Sequence, residues 1–171
     1  RRMFDGLLVY DRESNLGPSL GEAMPAVSED GRTFRFRLRR GVRFHPMAGH
    51  PEGRELVAED VRWSMLRLMS QDVGSPGYPF YASIEGADAY HEGNADDVAG
   101  IRVIDRYTIE LQLKEADQTF LNAMAMPFAY PVPCENYEHW GDEVKFHPVG
   151  TGPFVFEAWE RGVQLTFTRN E

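Results

Sequence analysis

The sequence predicts an α+β fold: a small mixed or antiparallel sheet with helices packed on it. Three observations carry this. Residues 33–39 alternate apolar and polar, residues 57–69 carry an apolar stripe at helical spacing, and residues 101–113 read as two strands joined by a tight turn. Three or four short strands interspersed with helices imply a layered fold in which helices cover one sheet face.

In order along the chain, Phe34, Phe36 and Leu38 point one way while Thr33, Arg35, Arg37 and Arg39 point the other, as in a half-buried strand. Asp30-Gly31 is a turn signal just before it. After Arg40-Gly41 a short second strand is expected at residues 42–44. Residues 45–54 hold two prolines and two glycines and read as a loop. In the best helix, residues 57–69, Ala58, Val61, Met65 and Leu68 form the stripe. Glu59 and Asp60 sit in its first turn and Arg67 in its last, which suits the helix dipole. Residues 72–79 break regular structure. A second helix is expected over residues 80–91, weakened by Gly86 and ended by Gly93. The hairpin at 101–105 and 108–113 turns through Arg106-Tyr107. Short helices suit residues 118–126 and 135–140, the latter stopped by Gly141. Residues 152–169 read as two strands around Arg161-Gly162.

At 171 residues this is one domain, or one plus a fragment. A content of 42% hydrophobic and 26% charged residues excludes a disordered or fibrous chain. Twenty-seven acids against eighteen bases give a net charge of −9. That balance argues against nucleic acid and against docking on anionic lipid. No run approaches the roughly 20 apolar residues that span a bilayer. The opening, Arg1-Arg2-Met3-Phe4-Asp5-Gly6, lacks an apolar signal region and reads as text from within a domain. Cys134, the one cysteine, rules out an internal disulfide and a cysteine metal cluster.

No catalytic constellation is visible. His45 and His50 lie near Glu52 and Glu55, but the spacing matches no zinc motif, and two solvated loop histidines are expected. Ser64 has no evident base and no Gly-x-Ser-x-Gly elbow. Cys134 precedes Glu135, whose charge opposes a reactive thiolate, so an ordinary helix-start residue is expected. Gly150-Thr151-Gly152-Pro153-Phe154 lacks the lysine of a phosphate loop, and Pro153 removes a donor; a tight turn feeding a strand is expected. Arg35, Arg37, Arg39, Arg40 and Arg43 read as the wet face of a strand rather than an anion patch. Tyr78, Phe80, Tyr81, Phe128 and Tyr130 cluster near breakers, where aromatics either pack under loops or line a cleft.

A resemblance then organises these segments. Phe4-Asp5-Gly6-Leu7-Leu8 and Pro18-Ser19-Leu20-Gly21-Glu22 resemble the opening motifs of the family 5 extracellular solute-binding proteins, the peptide, dipeptide and nickel receptors of ABC importers. The stretch from Ser28-Glu29-Asp30-Gly31 to Gly41-Val42-Arg43-Phe44-His45 resembles the family's "DG…LRkgVkFhdG". Ala58-Glu59-Asp60-Val61-Arg62-Trp63-Ser64 resembles "TAeDVvfS", and Asp105-Arg106-Tyr107-Thr108-Ile109 resembles "D-ytv". Pro148-Val149-Gly150-Thr151-Gly152-Pro153-Phe154, then Trp159 and Arg169-Asn170, resemble "PvGTGPy…W…RN". Singly each match is weak; in this order they are specific. Two departures are a longer loop after His45 and Val57 in place of a threonine N-cap, worth about 1 kcal/mol unless another group caps the helix.

The resemblance implies a piece of a protein several-fold longer, with a three-lobe, type II periplasmic-binding-protein-like fold. Residues 4–147 would be the small outer lobe of the N-terminal half, and residues 148–171 a strand pair re-entering the main lobe. It implies capture and not catalysis: no enzyme, no cofactor, no metal, and a peptide or small-solute ligand held between lobes that hinge shut, in a monomeric receptor that docks on an ABC permease. The aspartate that grips the peptide amino group in relatives falls downstream of Glu171, so this span alone is expected to bind no peptide. By position Met126 falls where oligopeptide-binding relatives place a cleft histidine, and Tyr78 or Tyr81 near a cleft tyrosine, so these three are the candidate cleft wall. A periplasmic or extracellular location follows, with a lipid anchor in the full-length protein. The alternative is a solute-binding-like sensor domain fused to an intracellular transcription regulator.

Overall fold

The computed structural model describes residues 3–170. In chain order its elements are β1 (Leu8–Tyr10), β2 (Leu16–Pro18), β3 (Ala26–Val27), β4 (Thr33–Arg37), α1 (Ala58–Met69), α2 (Ala87–His91), β5 (Ile101–Asp105), β6 (Thr108–Gln112), α3 (Phe120–Ala123), α4 (Cys134–Trp140), β7 (Phe154–Glu160) and β8 (Gln164–Arg169). The central sheet is antiparallel throughout, in the order β3-β4-β6-β5. Two separate antiparallel pairs, β1-β2 and β7-β8, lie outside it. This is the expected α+β arrangement.

The alternation in β4 sets the layers. Phe34 and Phe36 pair with Leu111 and Ile109 across the ladder, and all four are buried. Full burial of such a side chain contributes about 1.5–3 kcal/mol. Helix α1 covers this core with Ala58, Val61, Met65, Leu68 and Met69, lying against β5 and β6. On the opposite face Glu110 stands between Arg35 and Arg102, its carboxylate oxygens 2.7 and 2.9 Å from the two guanidinium groups. The arginine-rich face of β4 is thus wet but paired, with Arg37 3.2 Å from Glu22.

Val57, lacking a side-chain acceptor, does not cap α1. Asp60 makes only the reciprocal bond of a capping box: its Oδ2 accepts the Val57 N–H at 2.8 Å. That bond serves a different donor from the first-turn N–H a threonine hydroxyl would take, so the loss expected from the missing threonine stands.

Three expectations are corrected. Residues 42–44 form no strand; a single bridge, Arg43 to Glu55, replaces the ladder. Here the chain folds back tightly through Gly53, at φ +65°, where a Cβ would stand 1.9 Å from the Phe44 carbonyl oxygen. The helix expected over residues 80–91 begins only at Ala87. Gly86 takes φ +83°, and the residues before it bond to the sheet instead: Ile84 bridges Leu113, and Glu85 N–H donates to Gln112 O. The helix expected over 118–126 keeps only its centre, α3.

At one end of the sheet the inbound residues 3–7 run beside the outbound residues 148–152. Gly152 N–H donates to Met3 O at 2.8 Å, and His45 N–H to Gly150 O at 2.8 Å. Beyond this crossing β7 and β8 form a hairpin through Gly162, as the sequence predicts.

Candidate functional site

Two single 3₁₀ turns, Tyr78–Phe80 and Pro127–Ala129, build one side of the molecule, each with a proline in its first turn. Phe80 and Phe128 stack across them at 6.1 Å. A Cβ at Gly77 would stand 2.5 Å from the Phe128 ring, so only glycine admits this approach. Beside the turns lies a groove of about 530 Å³, lined among others by Tyr10, Phe80, Ser83, Thr119, Asn122 and Met126. Tyr10 donates its hydroxyl to Asn122 Oδ1 at 2.7 Å, tying β1 to α3 across the groove. A second cavity of about 530 Å³ lies between the inbound segment and α1, against Phe4, Arg67, Phe128, Tyr130 and Tyr137.

Of the three candidate wall residues, Met126 lines the groove and is half-buried. Tyr81 is a core residue: it has no accessible surface, and its hydroxyl donates to Ala123 O at 2.7 Å. Burial pushes that phenol well above its ordinary pKa. The same Ala123 carbonyl accepts the Met126 N–H at 2.9 Å, so Tyr81 buttresses the turn that carries Met126. Tyr78 is half-buried and already committed. Its hydroxyl donates to Asp88 Oδ1 at 2.8 Å, and its ring stacks on His91 at 3.7 Å. Desolvation, then the Asp88 carboxylate, pushes its pKa up to about 12. Asp88 itself is held down by Lys114, its ion-pair partner. The structure therefore joins Tyr81 and Met126 through Ala123 and assigns Tyr78 to a separate network on α2.

The remaining reactive residue types have structural partners. Ser64 Oγ lies 2.7 Å from Asp60 O and accepts the Val132 N–H at 2.9 Å. The Cys134 thiol opens α4 and points at Glu135, and burial pushes its pKa up. His45, expected in solvent, is 1% exposed; His50 is half-buried, its Nε2 4.0 Å from Glu135 Oε1. Its neighbour Glu55 is occupied by Gly41 N–H and the Tyr107 hydroxyl. Among the described residues no three His, Cys, Asp or Glu side chains converge as a metal site would require. No helix among them is long and apolar enough to cross a membrane. Sequence reasoning missed Tyr10 and Asn122; the apolar run Leu7-Leu8-Val9 ahead of Tyr10 was the only signal for the strand that places it.

The groove is walled by aromatic, amide and thioether side chains. The family profile described as "Bacterial extracellular solute-binding proteins, family 5 Middle" matches residues 15–171. The chain belongs to this family, as the sequence motifs indicate. It is similar to "Di/tripeptide-binding protein 2" of Pseudomonas aeruginosa, with 34% identity over 178 residues, 95% of this chain and 32% of that protein. It is also similar to the "Glutathione-binding protein GsiB" of Salmonella choleraesuis, 29% identical over 94% of this chain and 27% of that protein. Among solved structures, the substrate-binding domain of an oligopeptide ABC transporter from Bacillus anthracis superposes with a TM-score of 0.88 at 25% identity, covering 99% of this chain and 32% of its own. The murein tripeptide binding protein MppA of Escherichia coli gives 0.85 at 26%, with the same coverages. The chain thus spans about a third of the length of these relatives, which are named for what they bind and not for a reaction.

Proposed function

We propose that this chain is the small outer lobe, residues 4–147, of a receptor that captures peptides for an ABC importer, with residues 148–171 leading back into a larger lobe. The observation that carries the reading is the superposition of the whole described fold on an oligopeptide receptor at a TM-score of 0.88. The groove at Met126 forms one wall of the ligand cleft, where a thioether adapts to varied side chains and Asn122 and Thr119 offer hydrogen bonds. Tyr81 holds that wall from behind, and Tyr78 stiffens the adjoining turn. Closure of the larger lobes over an extended peptide then buries it and satisfies its main chain. The closed, monomeric receptor presents itself to a membrane permease. The family's extracellular character supports a periplasmic or surface location, with a lipid anchor on the full-length protein.

The test is a thermal-shift and calorimetric screen of the full-length protein against di-, tri- and oligopeptide pools. A ligand at 100 times its Kd stabilises a receptor by about 2.7 kcal/mol, an easily read rise in Tm. Micromolar or tighter binding of a peptide pool, weakened at least several-fold by Met126→Glu, is the expected result. Absence of binding across all pools overturns the reading.

A further inference from the structure

Both nitrogens of the His45 ring are engaged where the inbound and outbound segments cross. Nε2 lies 2.8 Å from Gly152 O, and Gly150 N–H approaches Nδ1 at 3.3 Å. A carbonyl oxygen only accepts and an amide N–H only donates, so the network assigns the proton to Nε2 and leaves Nδ1 bare. The backbone repeats the attachment: His45 N–H donates to Gly150 O. Outside these layers, Gly152 N–H reaches Met3 O, and a Cβ at Gly150 would stand 2.0 Å from that same oxygen. The crossing is thus a close stack of loop, outbound segment and inbound segment, and His45 is the side chain that ties the first to the second.

We propose that His45 is an acid-sensitive pin for the outbound segment: neutral, it ties residues 150–152 to the loop that follows β4; protonated on Nδ1, it meets the Gly150 N–H donor to donor and releases it. Loosening this tie frees the link between the sheet and the β7–β8 hairpin. The proposal rests on the hydrogen bonds of the crossing and not on the peptide reading.

The charged neighbours leave the ring open to this switch. From the inbound segment Asp5 favours the protonated ring, but its carboxylate is shared with the Thr151 hydroxyl at 3.3 Å. On the loop itself, Arg43 is turned to Gly53 O at 2.8 Å, and Arg54 to Asp60 and Glu135. The outbound residues 148–153 include no titratable side chain, and His147 before them stacks on Trp140. Desolvation is the largest influence and lowers the pKa of His45 below its ordinary value of 6.5, against the pull of Gly152 O and Asp5. The unfolded chain therefore takes up the proton first, and the tie weakens as pH falls below 6.5 towards the folded value.

Long-range ¹⁵N–¹H NMR of the imidazoles in the full chain tests this, with the His45 signals identified by their loss in His45→Asn. The expected spectrum has the Nε2–H tautomer at neutral pH and a titration midpoint below 6.5. An Nδ1–H tautomer, or a midpoint at or above 6.5, overturns the proposal. Amide exchange at Gly150 and Gly152 gives the second readout, taken as the ratio of wild type to His45→Asn at each pH, because the asparagine Oδ1 accepts at every pH. The ratio should rise in acid by about tenfold for each unit that the midpoint lies below 6.5. A ratio that stays flat overturns the switch, and should the variant not fold, backbone-linked assignment of the His45 ring in the wild type lets the tautomer and midpoint decide alone.

Discussion

The pairs β4–β6 and β7–β8 are written in the same code and end in opposite environments. Both are antiparallel; β4, β6 and β8 alternate, while β7 carries a bulge between Phe156 and Ala158 that still sets Phe156 and Trp159 opposite Phe167 and Leu165. In β4–β6 the inward side chains Phe34, Phe36, Ile109 and Leu111 are buried beneath α1. In β7–β8, Trp159 and Leu165 face each other directly across the ladder, yet they remain 48% and 55% exposed. Strand pairing is a local matter settled by alternation and a turn. Burial is not, because it needs a second layer, which α1 supplies to β4–β6 and no element among the described residues supplies to β7–β8. An exposed apolar ladder of this kind reads as a surface awaiting cover.

The widest separation between the two regions should appear on truncating their apolar side chains. Phe36→Ala removes a ring with no accessible surface and is expected to cost about 3–5 kcal/mol, read as a fall in denaturant midpoint at unchanged slope. A cost below about 1 kcal/mol would mean that the sheet core is not packed as described.

Next in size is the ion network around Arg54. Arg54 bonds Asp60 at 2.6 and 2.9 Å and Glu135 at 2.6 Å through two nitrogens, joining the loop, the start of α1 and α4. Arg54→Ala leaves the buried Asp60 carboxylate without its cation and should cost about 3 kcal/mol. The hairpin has no counterpart to this network among the described residues. The network also predicts an acid response. Arg54 holds Glu135 down to about 2, below the ordinary 4.5, so the unfolded chain binds the proton first. This stabilisation is complete above pH 4.5 and is lost as pH falls towards 2; the loss should shrink in Arg54→Ala, checked by thermal melts across that range.

The sequence made the sheet and α1 legible because both rest on periodicity that survives in the folded state. It misled where a single glycine changed the path of the backbone. Gly86 looks like a weak point within a helix, but at φ +83° it marks a start, and the residues before it join the sheet. Residues 42–44 have strand-like composition and lost the ladder to a tight loop. His45 and His50 look alike in one dimension; burial separates them, and burial depends on the distant residues 150–152. The groove was less legible still. Met126 was singled out only through resemblance to a family, since nothing in its own neighbours distinguishes a groove-lining residue from a core one. Tyr81 shows the same ambiguity resolved the other way, into the core.

A smaller effect should mark the turn beside the groove. Tyr78→Phe removes one hydroxyl donor to Asp88 and keeps the stack on His91, so it should cost about 1 kcal/mol. Because Asp88 keeps Lys114, the acid dependence of stability should change little. A cost of several kcal/mol would make the tyrosine part of the load on the core and not of its rim.

The smallest effect is the most informative about the comparison. In this chain Leu165→Ala trims a side chain that is 55% exposed, and surface changes of this kind stay within about 0.5 kcal/mol. In the longer protein the reading of residues 148–171 as a strand pair entering a larger lobe puts a second layer on that face. The same substitution should then cost about 2–5 kcal/mol, the usual range for a buried leucine. Two equilibrium unfolding curves, one in each context, decide the matter: equal costs would leave the hairpin a solvated arm, and unequal costs would show that the code shared with β4–β6 was written for a core that this segment does not itself contain.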